Sequence, residues 1–95
     1  MSLDNFRNEI DEIDNKILEL LESRMAIVLK VKEYKIQNNL AVLDTKREGI
    51  IYHKIDHLNS EYTTNYKEIY RCIMQESKKI QSKGDNNDLR TKESI

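Results

Sequence analysis

The sequence is poor in the residues that form tight turns and covalent cross-links. Its 95 residues include no proline, two glycines and one cysteine. Proline and glycine favour tight turns, so their scarcity predicts an all-α protein. A single cysteine excludes a disulfide within the chain, which agrees with a reducing cytoplasm.

Charge and hydropathy argue against two further classes of protein. Sixteen Lys and Arg residues against seventeen Asp and Glu residues give a net charge of −1, whereas nucleic-acid-binding domains usually carry a clear basic excess. No apolar run approaches the roughly 18 residues that a membrane span needs. The segment Met1 to Arg7 lacks the basic and then apolar order of a signal peptide. We therefore expect a cytoplasmic protein that binds neither nucleic acid nor membrane.

The length allows one domain, and apolar periodicity divides it into three helices and a tail. Apolar residues at helical spacing predict a first helix from 3 to about 38, a second near 44 to 58 and a third from about 61 to 83. We predict that residues 1–83 form the helical domain. The polar residues 84–95 are expected to form a disordered tail.

The helix ends carry recognisable capping residues. Ser2 or Asp4 can cap the first helix, and Asn38-Asn39 suits its end because Asn tolerates the left-handed conformation. Thr45 with Glu48 has the form of a capping box for the second helix.

The first helix carries a heptad-like apolar seam. Its members step by three and four positions: Leu3, Phe6, Ile10, Ile13, Ile17 and Leu20. About 35 helical residues make a rod of roughly 50 Å, and two shorter helices folded along it leave much of this seam uncovered. A long seam usually packs against a partner helix, so we predict a homodimer whose long helices pack together.

Each helix also places polar residues on the stripe that should be buried. They are Arg24 and Lys35 on the first helix, Asp44, Arg47 and Glu48 on the second, and Ser77 and Gln81 on the third. Buried charges are costly unless they are paired or bind a ligand. Their convergence from three helices predicts a polar pocket for a small, oxygen-rich anion.

The same residues have structural interpretations, which the sequence leaves open. Arg24 and Lys35 can extend from the seam edge to solvent, or pair with the carboxylates of the second helix. Glu48 can simply complete its capping box. Ser77 and Gln81 can form a hydrogen-bonded pair in the core.

Other reactive residues are weaker candidates for a site. His53 and His57 have a spacing that can bind a metal, but no third ligand is suitably placed, so we expect a solvated helix face and no metal. Cys72 has no histidine partner on its face, and a packed thiol is the favoured interpretation.

Three segments form an ordered set of motifs. Residues 6–24 approximately follow the pattern LRxxIDxIDxxLLxLLxxR, with Phe6 and Ile17 in place of two leucines. Residues 42–48 read V-x-D-x-x-R-E, and residues 73–81 read I-x-x-x-S-x-x-x-Q. Together with Lys35, this set resembles the all-helical class of chorismate mutases. The resemblance covers about residues 3–83. Ala41, where many members have proline, is a departure that leaves every polar motif position occupied.

The resemblance implies a fold, a reaction and an assembly. It implies a three-helix protomer with one long N-terminal helix, in an interlocked homodimer with two equivalent sites. The implied activity is the pericyclic rearrangement of chorismate to prephenate, a step toward phenylalanine and tyrosine. No cofactor or metal is implied, and chorismate is the expected small-molecule partner.

The resemblance also assigns roles to individual residues. Arg24, with Arg7 contributed across the dimer interface, is expected to clamp the two substrate carboxylates. Lys35 and Gln81 are expected to reach the ether oxygen, where negative charge develops. The remaining substrate-binding residues are Glu48 toward the ring hydroxyl, Ser77 toward a carboxylate, and Asp44 and Arg47 at the rim.

Two other functions fit parts of the sequence. An isochorismate-pyruvate lyase shares this fold and style of substrate, and the intact set of Asp44, Arg47 and Glu48 favours the mutase. A dimerisation module without catalysis would have apolar residues in place of Arg24, Lys35 and Gln81.

Overall fold

The computed structural model describes residues 2–82, which form three α-helices and no strand. These are α1 (Leu3–Gln37), α2 (Thr45–Asp56) and α3 (Thr63–Ser82). The predicted all-α fold with one long N-terminal helix is confirmed. Lys83 and the predicted tail at 84–95 lie outside the described residues.

Both ends of α1 are capped, the N-terminal end by a side chain and the C-terminal end by backbone hydrogen bonds. The hydroxyl of Ser2 accepts from the backbone N–H of Asn5 at 3.2 Å, so Ser2 is the N-cap. After the helix, Asn39 takes a left-handed φ of 55°, and the N–H of Leu40 donates to the carbonyl of Lys35 at 2.8 Å. This is the Schellman pattern of hydrogen bonds, and it turns the chain back toward α1.

The start of α2 differs from the prediction. Asp44 is the N-cap, because its carboxylate accepts from the backbone N–H of Arg47 at 2.9 Å, and Thr45 is already the first helical residue. The proposed capping box of Thr45 and Glu48 is therefore wrong. Both Asp44 and Thr45 are good caps, and the backbone conformation decides between them. The carboxylate of Glu48 is left to contact α3 instead.

A small apolar core joins α2 to α3. Ile51, Ile55 and Met74 are buried, and three tyrosines pack around them: Tyr52, Tyr66 and Tyr70. α3 packs against both other helices, whereas no Cα atom of α1 lies within 8 Å of a Cα atom of α2. α3 thus links the two other helices.

Apolar spacing predicts that Leu58 of the second helix and Tyr62, Ile69 and Ile73 of the third face inward. Three of these four residues are exposed. Leu58 lies beyond the end of α2 and Tyr62 before the start of α3, so neither belongs to the stripe that packs. Ile69, on α3 itself, is also exposed. The core of α3 is centred on Met74, one position from the predicted Ile73.

The apolar seam of α1 faces solvent in the single chain. Its six residues from Leu3 to Leu20 have exposed fractions between 47% and 69%, and Val28 is the one buried residue of this helix. Within residues 2–82, no helix combines the length and hydropathy that crossing a bilayer requires.

Candidate active site

A cavity of about 520 Å³ lies between α1 and α2, with α3 along one side. Seven of the predicted site residues line it: Arg24, Lys35, Asp44, Arg47, Glu48, Ser77 and Gln81. Apolar side chains, among them Val28, Val31 and Met74, complete the wall. The structure therefore brings together polar residues from all three helices, as the sequence pattern predicted.

Arg24 and Ser77 form one polar contact on the wall. The guanidinium Nη1 of Arg24 donates to Ser77 Oγ at 2.6 Å, and Ser77 Oγ donates to the carbonyl of Ile73 at 2.8 Å. Ser77 is buried. This contact holds the arginine head group at the cavity although it carries a charge on a largely apolar helix face.

Lys35 and Gln81 form a second contact. Lys35 Nζ donates to Gln81 Oε1 at 3.0 Å and to the carbonyl of Val42 at 2.9 Å. An ammonium group can only donate hydrogen bonds, so it fixes the amide with its oxygen toward Lys35. The amide Nε2 of Gln81 then retains its two protons for another acceptor.

Glu48 and Lys78 form a third contact, across α2 and α3. Lys78 Nζ lies 3.1 Å from Glu48 Oε2, and both residues line the cavity. From the sequence, the adjacent Lys78 and Lys79 are expected to be ordinary helix surface. That expectation holds for Lys79, which pairs with the exposed Glu76 at 3.0 Å, and fails for Lys78.

A signal for Lys78 exists in the sequence. Residues three apart share a helix face, and Lys78 lies three positions before the inward Gln81 and next to Ser77.

Asp44 and Arg47 lie at the exposed rim of the cavity, in the N-terminal turn of α2. The N-terminal end of a helix carries a partial positive charge from its unpaired N–H groups. The Asp44 carboxylate accepts from the N–H of Arg47 at this end, so its negative charge already offsets that partial charge.

Arg7 is not among the residues that line the cavity. It is exposed and lies on α1 about 25 Å from Arg24, given 17 intervening steps of 1.5 Å. One chain alone therefore cannot bring Arg7 to its own cavity.

The charge of the cavity favours a dianion. Two arginines and two lysines line it with two carboxylates, which leaves a formal charge of +2. Much of the remaining wall is apolar, and low-dielectric surroundings strengthen the attraction between opposite charges. The arrangement can hold a small molecule with two carboxylates, and the Nε2–H group of Gln81 can donate to a further oxygen of it.

The titration shifts lie outside this cavity. A hydrogen bond from Lys67, together with its charge, lowers the pKa of Asp56, and their side chains meet at 2.7 Å between α2 and α3. A hydrogen bond from Arg71 likewise lowers the pKa of Glu68.

The remaining candidates, His53, His57 and Cys72, have exposed side chains. The rings of His53 and His57 meet edge to face with centroids 4.4 Å apart, and residues 2–82 contain no cluster of three or more side chains suited to a metal ion. Cys72 is exposed in the chain, so the prediction of a packed thiol is wrong. It lies two positions before the buried Met74, which places it on the opposite side of α3.

Comparisons with known proteins identify relatives of this chain. The family model described as chorismate mutase type II matches residues 6–82. A chorismate mutase of Methanocaldococcus jannaschii is 34% identical over 82 residues, which are 83% of each chain.

Longer relatives also match. A bifunctional chorismate mutase/prephenate dehydratase of Buchnera aphidicola subsp. Schizaphis graminum is 38% identical over 82 residues. One of Aquifex aeolicus is 41% identical over 59 residues, 62% of this chain and 16% of the relative. The match to the Buchnera protein covers 83% of this chain and 21% of the relative, so the chain spans about a fifth of its length. No solved structure matches the chain significantly.

Proposed function

The chain belongs to the chorismate mutase type II family, and we propose that it rearranges chorismate to prephenate in the cavity between its helices. The family match spans nearly all of the described residues. The cavity supports the same activity independently, since its charge, size and donors suit a compact dicarboxylate.

The reaction makes specific demands on a protein. In chorismate one C–O bond breaks as one C–C bond forms, within a single molecule and without a nucleophile or general base. The barrier falls when the flexible enolpyruvyl arm is held over the ring. It falls further when donors point at the ether oxygen, on which negative charge develops. Neither demand calls for a cofactor.

The contact between Lys35 and Gln81 is the observation that carries the proposal. Because Lys35 fixes the amide oxygen of Gln81, the amide Nε2 can donate to the ether oxygen while the Lys35 ammonium lies beside it. The two groups would meet the developing charge with one cation and one neutral donor. Both are already in place on the wall, so little reorganisation is needed during the reaction.

The substrate carboxylates require cations at two separate points. Arg24, held by Ser77, would bind one of them through its guanidinium fork. The Ser77 hydroxyl would join it only by turning its proton from the carbonyl of Ile73 to the carboxylate. Arg7 of the partner subunit would bind the second carboxylate of the substrate. Glu48 would accept from the ring hydroxyl, and Asp44 with Arg47 would shape the rim.

We further propose an interlocked homodimer. The seam from Leu3 to Leu20 is exposed along the N-terminal half of α1, and an apolar surface of this extent usually marks an interface. Packing of two such seams would also bring Arg7 of one chain near the cavity of the other. Sedimentation at micromolar concentration should give about twice the mass of one chain. A folded, active monomer would contradict this assembly.

The proposed activity is tested by incubating the purified protein with chorismate and identifying the product. Prephenate is expected, formed with saturation kinetics. A parallel incubation with isochorismate tests the lyase, whose product would be free pyruvate. Absence of chorismate turnover by the folded dimer would contradict the proposed function.

A further inference from the structure

We propose that Lys78 is a positioning residue, which holds the carboxylate of Glu48 at the cavity for the ring hydroxyl of the substrate. This inference rests on the proposed function. Position 78 is an unspecified position within the motif at 73–81, and the role follows from the contact between the two side chains.

Lys78 and Glu48 form a partly buried ion pair at the cavity wall. Lys78 Nζ lies 3.1 Å from Glu48 Oε2, and the two side chains are 32% and 25% exposed. The neighbouring pair of Lys79 and Glu76 has the same charges, but its side chains are 64% and 58% exposed. Water screens an exposed pair more strongly, so the cavity pair is the better constrained of the two.

The side chain of Glu48 has no contact within its own helix α2 that would fix the orientation of its carboxylate. Asp44 caps α2 through the N–H of Arg47, so the Glu48 carboxylate takes no part in capping. Its long side chain would otherwise sample several rotamers at the cavity wall. Lys78 engages Oε2 and leaves Oε1 as the acceptor for a hydroxyl. The pair also joins α2 to α3 beside the space that the substrate would fill.

Direct binding is the competing role for Lys78. Its ammonium could leave Glu48 and bind a substrate carboxylate itself. In that case Lys78 and Glu48 would act on different groups of the substrate, and their substitutions would have independent effects on the reaction. The two roles therefore differ in how the variants combine.

The experiment compares single and double variants with a matched control. Lys78→Met retains the alkyl chain and removes the charge, and we expect kcat/KM to fall about three- to tenfold. The loss should divide between kcat and KM as it does for Glu48→Gln. The double variant of Lys78→Met and Glu48→Gln should have the same kcat/KM as Glu48→Gln alone. Lys78→Arg, which keeps the charge, should retain most of the wild-type activity. Lys79→Met, which removes the same charge one position away, should match wild type.

A second measurement is independent of turnover. The carboxyl-carbon NMR signal of Glu48, assigned by its loss in Glu48→Gln, should shift in Lys78→Met and stay unchanged in Lys79→Met. An unshifted signal would overturn the proposal, as would independent effects of Lys78→Met and Glu48→Gln on kcat/KM. Failure of the wild type to convert chorismate would instead refute the proposed function, and the NMR comparison would still decide whether Lys78 orients Glu48.

Discussion

Lys35 and Gln81 lie 46 residues apart in the chain, and a 3.0 Å hydrogen bond from Nζ to Oε1 joins them on the cavity wall. The bond gives the amide of Gln81 a defined orientation. An amide held in this way can donate to an oxygen of the substrate only through Nε2. The proposed chemistry therefore depends on the donor capacity of one buried side chain.

Gln81→Glu should abolish most activity at neutral pH, because a carboxylate has no proton to donate and repels the ether oxygen. Removal of such a donor typically costs about 3–4 kcal/mol in the transition state. Activity should rise as the pH falls toward the pKa of the introduced carboxyl, for which about 4.3 is the free-solution reference. A pH–rate profile over the range in which circular dichroism shows a folded protein checks this.

Gln81→Ala is the control for that profile, because it never regains a donor. The activity of Gln81→Ala should stay low at every pH. If the two variants follow the same profile, or if Gln81→Glu matches wild type at pH 7, then Gln81 is not the donor to the ether oxygen.

Ser77→Ala should reduce activity less than Arg24→Ala. The serine hydroxyl orients Arg24 through a 2.6 Å bond, so its loss should cost about 1–2 kcal/mol of transition-state binding. Arg24→Ala removes the group that binds the carboxylate, so its kcat/KM should be several-fold lower than that of Ser77→Ala. Equal losses for the two variants would show that Ser77 does more than orient the arginine.

Arg7 should act across the subunit interface. Arg7→Ala and Lys35→Ala should each be nearly inactive, and mixing them under conditions that allow subunit exchange should restore activity. A mixed dimer contains one site that lacks both side chains and one intact site. Exchange can be followed with a mass-tagged chain, and confirmed exchange without recovery would mean that Arg7 does not work in trans.

Gly49→Ala should stabilise the protein. Gly49 lies inside α2, and a Cβ added there would meet no atom within 4 Å. Alanine in an unstrained helical position gains about 0.5–1 kcal/mol over glycine. Urea unfolding should show the gain at unchanged m-value, with unaltered kcat. A loss of stability would contradict an open position at this residue.

The ion pair of Asp56 and Lys67 should make stability pH-dependent. Because Lys67 lowers the pKa of Asp56 in the folded state, the pair contributes stability above the unfolded pKa, and that contribution disappears as the pH falls through the folded pKa. Wild type should therefore lose more stability than Lys67→Met as the pH falls below about 4, the ordinary pKa of an aspartate. Asp56→Asn should show the same shallower dependence in thermal unfolding. Parallel curves for wild type and both variants would contradict this role.

The helices were predictable because their signals are local. Apolar spacing and the near absence of Gly and Pro place α1 at Leu3–Gln37, within one residue of the prediction. Helix ends depend on which of two good caps the backbone selects, so Thr45 was chosen where Asp44 serves. A periodic pattern also continues through turns, which is why Leu58 and Tyr62 were assigned to faces that do not pack.

The cavity was predictable in outline because polar residues on an apolar stripe are costly and therefore informative. The contact of Arg24 with Ser77 and that of Lys35 with Gln81 follow this rule. Lys78 was missed because a lysine on a helix is usually at the surface, and its pairing with Glu48 depends on how α2 and α3 pack.

Because α1 and α2 lie on two sides of the cavity, binding of a ligand in the cavity is coupled to the folding of the chain. The cavity fills the space between these helices, so an anion bound there would connect two helices whose backbones do not approach each other closely. A ligand at a hundred times its Kd adds about 2.7 kcal/mol to the stability of the folded state, a large share of the roughly 5–15 kcal/mol typical of proteins. The lifetime of the folded chain would then rise and fall with the supply of its substrate.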